Sequence, residues 1–168
     1  MTWATILLVC VTAERLAELW WARSNTRRLL QRGAVEHAAG HYPLIVALHA
    51  LWLAGLWHFG RSQPISIPWL VVFLILQAGR VWVLATLGRR WTTRIIVLAG
   101  EPLIRTGPYR HVAHPNYLVV AGEIAVLPLC LHLPWYALVF SLANAWVLSI
   151  RLRAENAALS GSMHEATG

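Results

Sequence analysis

Two polar clusters in this chain combine residue types that could do chemistry. The first runs Thr106-Gly107-Pro108-Tyr109-Arg110-His111-Val112-Ala113-His114-Pro115-Asn116-Tyr117. It sets a Gly-Pro turn, an Arg, two His and two Tyr against the start of an apolar stretch, and Pro115 is well placed as the first residue of a helix with His114 just outside it. The second cluster is Arg151 to Glu155. Arg151 and Glu155 are four positions apart and share one face if the segment is helical. Taken singly, each residue also has a structural reading: a helix start at His114-Pro115, an interfacial ring at each Tyr, and a topology anchor at Arg151 with Arg153.

The elements that must position these clusters are membrane helices. The chain has 168 residues, 58% hydrophobic and only 12% charged, with 10 Trp, a composition far from that of soluble domains. The apolar residues collect in blocks long enough to cross a hydrocarbon core of about 30 Å, separated by short Arg-bearing segments. The net charge of +7 comes entirely from Arg, since the chain has no Lys, and its acids are all Glu. A nucleic-acid reader carries its basic face on a soluble module; here the Arg sit beside apolar blocks, so no nucleic-acid partner is expected. Cys10 and Cys130 stand far apart inside apolar blocks and read as buried thiols. His37 and His41 have metal-compatible spacing, but no Cys, Asp or nearby His completes a shell, and no metal site is expected.

The apolar blocks predict about five spans, at about 2–21, 43–59, 69–87, 115–131 and 135–150. Met1-Thr2-Trp3 lacks the charged start and small-residue cleavage site of a signal peptide, so the first block is expected to stay in the mature protein. Glu14 and Glu18 are one turn apart, which suits a helix end facing protein or interface rather than lipid. Arg80 lies inside the third block, where burial of a charge is costly, and Glu123 in the fourth block is its natural partner. Residues 92–97 are rich in β-branched residues and strand-like, within a loop of about 25 residues that is too long for a plain connector.

Arg23 to Arg32, Arg89 to Arg110, and Arg151 with Arg153 fall on one side of such a bundle, and Arg61 alone on the other. That asymmetry predicts the N-terminus outside and the C-terminus in the cytoplasm. Both polar clusters then lie on the cytoplasmic side, and the short turn near Pro134 makes the fourth and fifth spans antiparallel neighbours, so the clusters meet. The expected fold class is an all-α integral membrane protein, one domain over 1–168, with a polar loop and C-terminal helix forming the site and a disordered tail at 160–168.

Leu103-Ile104-Arg105-Thr106-Gly107-Pro108-Tyr109, then His114-Pro115-Asn116-Tyr117, then Arg151-x-x-x-Glu155 after a helical hairpin, resembles the isoprenylcysteine carboxyl methyltransferase family, bacterial branch. The resemblance covers about residues 77–159. It implies S-adenosylmethionine bound at the cytoplasmic end of the last spans of a bacterial inner-membrane protein, and a lipophilic small-molecule acceptor arriving from the bilayer lipid. It also implies that Glu101, Pro102, Leu103, Ile104, Tyr109, His114, Pro115, Asn116, Tyr117 and Glu155 line the cofactor, with Arg151 on the acceptor's carboxylate and Arg151 and Glu155 as the catalytic pair.

Elementary chemistry suits those roles. A helix start at Pro115 offers amide donors to the cofactor's carboxylate, Tyr109 and Tyr117 can stack on adenine or face the sulfonium, and Glu155 can take ribose hydroxyls or the amino group. Methyl transfer is an in-line displacement, which asks the protein to position and desolvate. The chain departs from the family in two places: Ala113 stands where members usually have Arg before His-Pro, and Asn156 where they often have a second Glu. Arg110 could supply the missing charge.

A carboxylate acceptor is ionised at neutral pH and needs no base; a phenol, with a pKa of about 10, benefits from one. His111 or Glu155 could serve, which makes long-chain phenols or polyketide lipids alternative acceptors, with phospholipid amines a third. The helical arrangement is also similar to membrane steroid-type reductases, where Arg105 and Arg110 would face the 2′-phosphate of NADPH. A non-enzymatic membrane scaffold is the remaining reading, against which Gln77, Arg80, Glu123 and Asn144 count.

Overall fold

The computed structural model describes residues 2–37, 39–102 and 104–165. Five helices dominate: α1 (Trp3–Gln31), α2 (Tyr42–Gly60), α3 (Ile67–Leu87), α4 (Pro115–Cys130) and α5 (Pro134–Glu165). They form an up-and-down bundle in which α4 packs most extensively on α3 and α5. The chain is an all-α integral membrane protein. Tyr42–Gly60, Ile67–Arg90 and Pro134–Glu155 are long and apolar enough to cross a membrane. Of the two other expected spans, α4 is apolar but has 16 residues, about 24 Å at the helical rise. The 29-residue α1 is long enough, but carries Glu14, Arg15 and Glu18. Large apolar side chains such as Leu51, Ile75, Trp82, Val139 and Trp146 are exposed on the outside of the bundle, as a lipid-facing surface requires.

One end of the bundle is closed by turns. Thr2 caps α1 by accepting from the Thr5 N–H at 3.1 Å, and its hydroxyl donates to the Arg61 carbonyl at 2.6 Å. The Ser66 N–H donates to the Cys130 carbonyl at 2.9 Å, which fastens the start of α3 to the end of α4. The apolar core lies near this end: Leu8 of α1, Leu56 of α2, and Leu127, Cys130 and Leu131 at the end of α4 are completely buried. Cys10, expected to be buried, is exposed on the outer face of α1, while Cys130 is buried.

The opposite end carries the irregular structure. The Arg run continues α1 as a helix to Gln31, ten residues past the expected span limit of about 21, before Gly33 at φ 88° turns the chain. Strands β1 (Val35–His37) and β2 (Ile95–Val97) then pair antiparallel, with Glu36 opposite Ile96. The strand-like reading of 92–97 is narrowed to its last three residues, and its partner β1 is an element that sequence patterning missed. At the C-terminus α5 runs to Glu165, where a disordered tail from Ser160 was expected; 166–168 lie outside the described residues.

The charges expected near the inner end of α1 turn into the protein. Arg80 is buried and donates to Glu18 from Nε, to Glu18 again from Nη2 at 2.5 Å, and to Glu123 from Nη1 at 2.9 Å. Arg15 bridges the same acids, at 3.0 Å to Glu18 and 2.9 Å to Glu123. The expected Arg80–Glu123 pair is therefore half of a two-Arg, two-Glu network that ties α1 to α3 and α4. The partners offset desolvation that would make any one of these buried charges untenable alone.

Candidate functional site

The site forms where the start of α4 meets α5 after its apolar stretch. Gly107 adopts φ 56°, and a Cβ there would lie 2.5 Å from the Thr86 hydroxyl. Only glycine lets the turn pack so closely on the end of α3. A 3-10 turn, Gly107–Arg110, follows and buries Pro108, and Pro115 starts α4 with φ already suited to a helix.

Four of the sequence-identified residues are joined directly. The Tyr117 hydroxyl donates to Glu155 Oε2 and accepts from Arg151 Nε at 2.8 Å. The His114 ring stacks on the Tyr117 ring, centroids 5.2 Å apart and planes 8° from parallel. His114 Nδ1 lies 4.0 Å from Glu155 Oε2, and the Arg151 guanidinium sits over the Tyr117 ring at 5.6 Å. Tyr109 is close enough that the Glu155 charge acts on it: burial first, and then Glu155, push its phenol up to about 12. Tyr109 is thus a protonated hydroxyl at neutral pH, able to donate but not to act as a base.

The other sequence-identified residues are placed differently. Glu101 is ion-paired with Arg32 at 3.0 Å and Arg90 at 3.1 Å. The Pro102 carbonyl accepts from Arg90 at 2.8 Å. Ile104 is half-buried, and Leu103 lies outside the described residues. Among the described residues no hydrogen bond or ion pair joins this segment to Tyr117 or Glu155. Arg105, Arg110 and His111 are exposed, as is Ala113.

The helix start is also more occupied than expected. Pro115 has no N–H, and the Tyr117 and Leu118 N–H groups both turn onto the His114 carbonyl, at 3.1 and 3.4 Å. That leaves the Asn116 N–H as the amide of the first turn without a backbone partner among the described residues. The Asn116 side-chain Oδ1 is buried without a hydrogen-bond partner.

Tyr117, Asn116 and Arg151 also line a cavity of about 330 Å³ between α1, α2, α4 and α5. Its wall is mostly apolar, with Leu16, Val46, Leu53 and Val120 among the lining residues, and the Arg80 network forms part of it. Thr93 closes the loop side: its carbonyl accepts from Arg151 Nη1 at 2.8 Å, and its hydroxyl meets that of Tyr42 at 3.1 Å. Arg94 packs over the Tyr42 ring at 4.7 Å and binds both Glu36 oxygens at 2.9 Å. The β1–β2 pair thereby holds the carbonyl that orients Arg151.

The model of the isoprenylcysteine carboxyl methyltransferase family matches residues 69–161, from α3 into α5. The chain belongs to this family. It is similar to the uncharacterised protein YpbQ of Bacillus subtilis, 39% identical over 165 residues, covering 95% of this chain and 96% of that one. It is also similar to an uncharacterised protein of Haemophilus influenzae, 23% identical over 166 residues, covering 95% of this chain and 96% of the relative. Membership makes the chain a member of a methyltransferase family of membrane proteins. The family match begins after α1 and α2, yet those helices supply Leu16, Val46, Leu53 and His49 to the cavity. His49 stands as a polar ring inside an apolar block, and nothing else in the sequence marks it.

Proposed function

We propose that the chain is an S-adenosylmethionine-dependent methyltransferase whose lipophilic acceptor enters the α1–α2–α4–α5 cavity from the bilayer. The observation that carries this reading is the Tyr117 hydroxyl, bonded to Arg151 and Glu155 where the cavity meets the α4 start. One residue thereby joins an acidic group suited to a cationic, hydroxyl-bearing donor to a cation suited to an anionic oxygen on the acceptor.

The side chains present fit the donor. Glu155 Oε1 has no partner among the described residues and is a ready acceptor for ribose hydroxyls or an ammonium group. The free Asn116 N–H at a helix start suits a carboxylate. Tyr109 offers a neutral hydroxyl and a ring; the Tyr117 ring is already stacked on His114, so Tyr109 is the better adenine platform. When bound, S-adenosylmethionine supplies a methyl group on a sulfonium. Arg151 keeps Nη2 without a partner among the described residues, and that donor can hold the acceptor oxygen in line. The apolar cavity wall takes the hydrocarbon chain and keeps water from the reacting groups. The Arg-bearing loops support a placement of this end on the cytoplasmic face of a bacterial inner membrane.

The test is to incubate membranes containing the protein, and membranes lacking it, with methyl-labelled S-adenosylmethionine and a bacterial lipid extract. Label should enter the organic-soluble fraction only with the protein. Absence of protein-dependent label would contradict the reading.

A further inference from the structure

The outward face of α1 changes character where the helix leaves the bilayer. Val9, Leu16 and Trp20 are exposed, Trp20 by 75%, and Arg23, Arg27 and Leu30 follow, also exposed. At 3.6 residues per turn, Leu16, Trp20, Arg23, Arg27 and Leu30 fall within an arc of roughly 80°. The opposite face, with Glu18, Asn25 and Leu29, is buried. One stripe therefore passes from lipid-facing apolar side chains, through an indole, to two guanidiniums a helical turn apart.

The indoles locate the membrane boundary. Trp20 precedes Asn25, whose Nδ2 donates to the Gly88 carbonyl at 3.2 Å, and the exposed Trp82 precedes Gly88 on α3 by about the same rise. Both rings thus stand at one level. Arg23 lies about 4.5 Å beyond Trp20 along α1, and Arg27 about 10 Å, against a headgroup layer of about 5–8 Å in each leaflet. A guanidinium on its flexible stem reaches that layer from either position.

Other cations at this end are held by the protein itself. Arg32 and Arg90 pair with Glu101, Arg94 pairs with Glu36, and Arg151 bonds Tyr117 and Thr93. Arg23 and Arg27 have no hydrogen bond or ion pair among the described residues, and no acid occurs between Leu19 and Val35. We propose that Trp20, Arg23 and Arg27 form a binding site for the phosphate of an anionic phospholipid, whose acyl chains lie along Val9 and Leu16. Two guanidiniums suit a phosphate that carries net charge, whereas the ammonium of a zwitterionic headgroup meets their repulsion, so the site selects for net negative lipid. This site stands apart from the Tyr117 cluster and does not depend on the methyltransferase reading.

The test is native mass spectrometry of the full chain, released from detergent after incubation with phosphatidylglycerol or with phosphatidylcholine of the same acyl chains. The first phosphatidylglycerol should bind the wild type about tenfold tighter than the first phosphatidylcholine. The double variant Arg23→Gln, Arg27→Gln should lose most of that preference, at about fivefold for each Arg, the worth of one cation near an anionic leaflet. The double variant Arg28→Gln, Arg89→Gln removes the same charge from exposed positions off the stripe and should keep the preference. Trp20→Ala should weaken both lipids alike. Equal binding of the two lipids by the wild type overturns the proposal. So does a preference that survives in Arg23→Gln, Arg27→Gln, or one that falls equally in both double variants, which would trace it to the net charge of this end rather than to the stripe.

Discussion

The two ends of the bundle are built on opposite terms. At the turn end, α1, α2 and the end of α4 fill space: Leu56, Leu127, Cys130 and Leu131 are fully buried, and Tyr136 donates to the Trp52 carbonyl at 2.8 Å. A Cβ on Gly60 would come within 2.7 Å of Leu131, which shows how little room remains. At the other end the helices part around a cavity of about 330 Å³, and Asn116 Oδ1 and Trp91 Nε1 are buried without partners. Well-packed proteins tolerate few such atoms; Gln77 in α3 and Asn144 in α5 carry others within the spans, while Asn116 and Trp91 line the cavity. The difference teaches that packing is closed at the turn end, while the loop end leaves room that the helices do not fill.

Four substitutions can break or sharpen that contrast. Arg80→Ala leaves Glu18 without its Arg80 bonds and Glu123 held by Arg15 alone, in a dry interior. It should destabilise by about 3–5 kcal/mol, seen as a large fall in thermal unfolding midpoint in detergent. Leu127→Ala removes a fully buried side chain at the packed end; a loss of about 2–5 kcal/mol is expected, with ligand binding at the far end unchanged. Glu155→Ala should do the reverse. Its carboxylate is 28% exposed, so stability should hardly move, while S-adenosylhomocysteine binding should weaken by about 1.5–3 kcal/mol, the usual worth of a charged hydrogen bond. If Glu155→Ala melts early and still binds, the contrast fails. Arg94→Ala, at the exposed ion pair with Glu36, should cost about 1 kcal/mol or less. Its informative effect would be a small loss of turnover through the Thr93 carbonyl that orients Arg151.

Sequence made much of the scaffold legible for clear physical reasons. Continuous apolar runs marked α2, α3 and α5, because lipid demands them. The cost of a buried Arg paired Arg80 with Glu123, and the short turn after α4 brought Tyr117 to Arg151 and Glu155. What stayed hidden depends on distant parts of the chain. Val35–His37 is too short to show a strand period and is a strand only because Ile95–Val97 lies beside it. Glu14 and Glu18 read as facing protein or interface, and only the packing of α3 and α4 shows Glu18 turned inward onto Arg15 and Arg80. The ion pairs of Glu101 with Arg32 and Arg90 were hidden as well, because those residues lie far apart in sequence. Four positions in the α4 start were readable as a cluster, whereas the stacking of His114 on Tyr117 needed the fold.

The central claim is that the loop end is a methyl-donor site. Isothermal titration calorimetry of the detergent-solubilised protein with S-adenosylhomocysteine, and separately with NADPH, tests it most directly. Saturable binding of S-adenosylhomocysteine in the wild type, weakened in Glu155→Ala, with no heat from NADPH, is the predicted result. Binding of NADPH with none of S-adenosylhomocysteine would contradict the account.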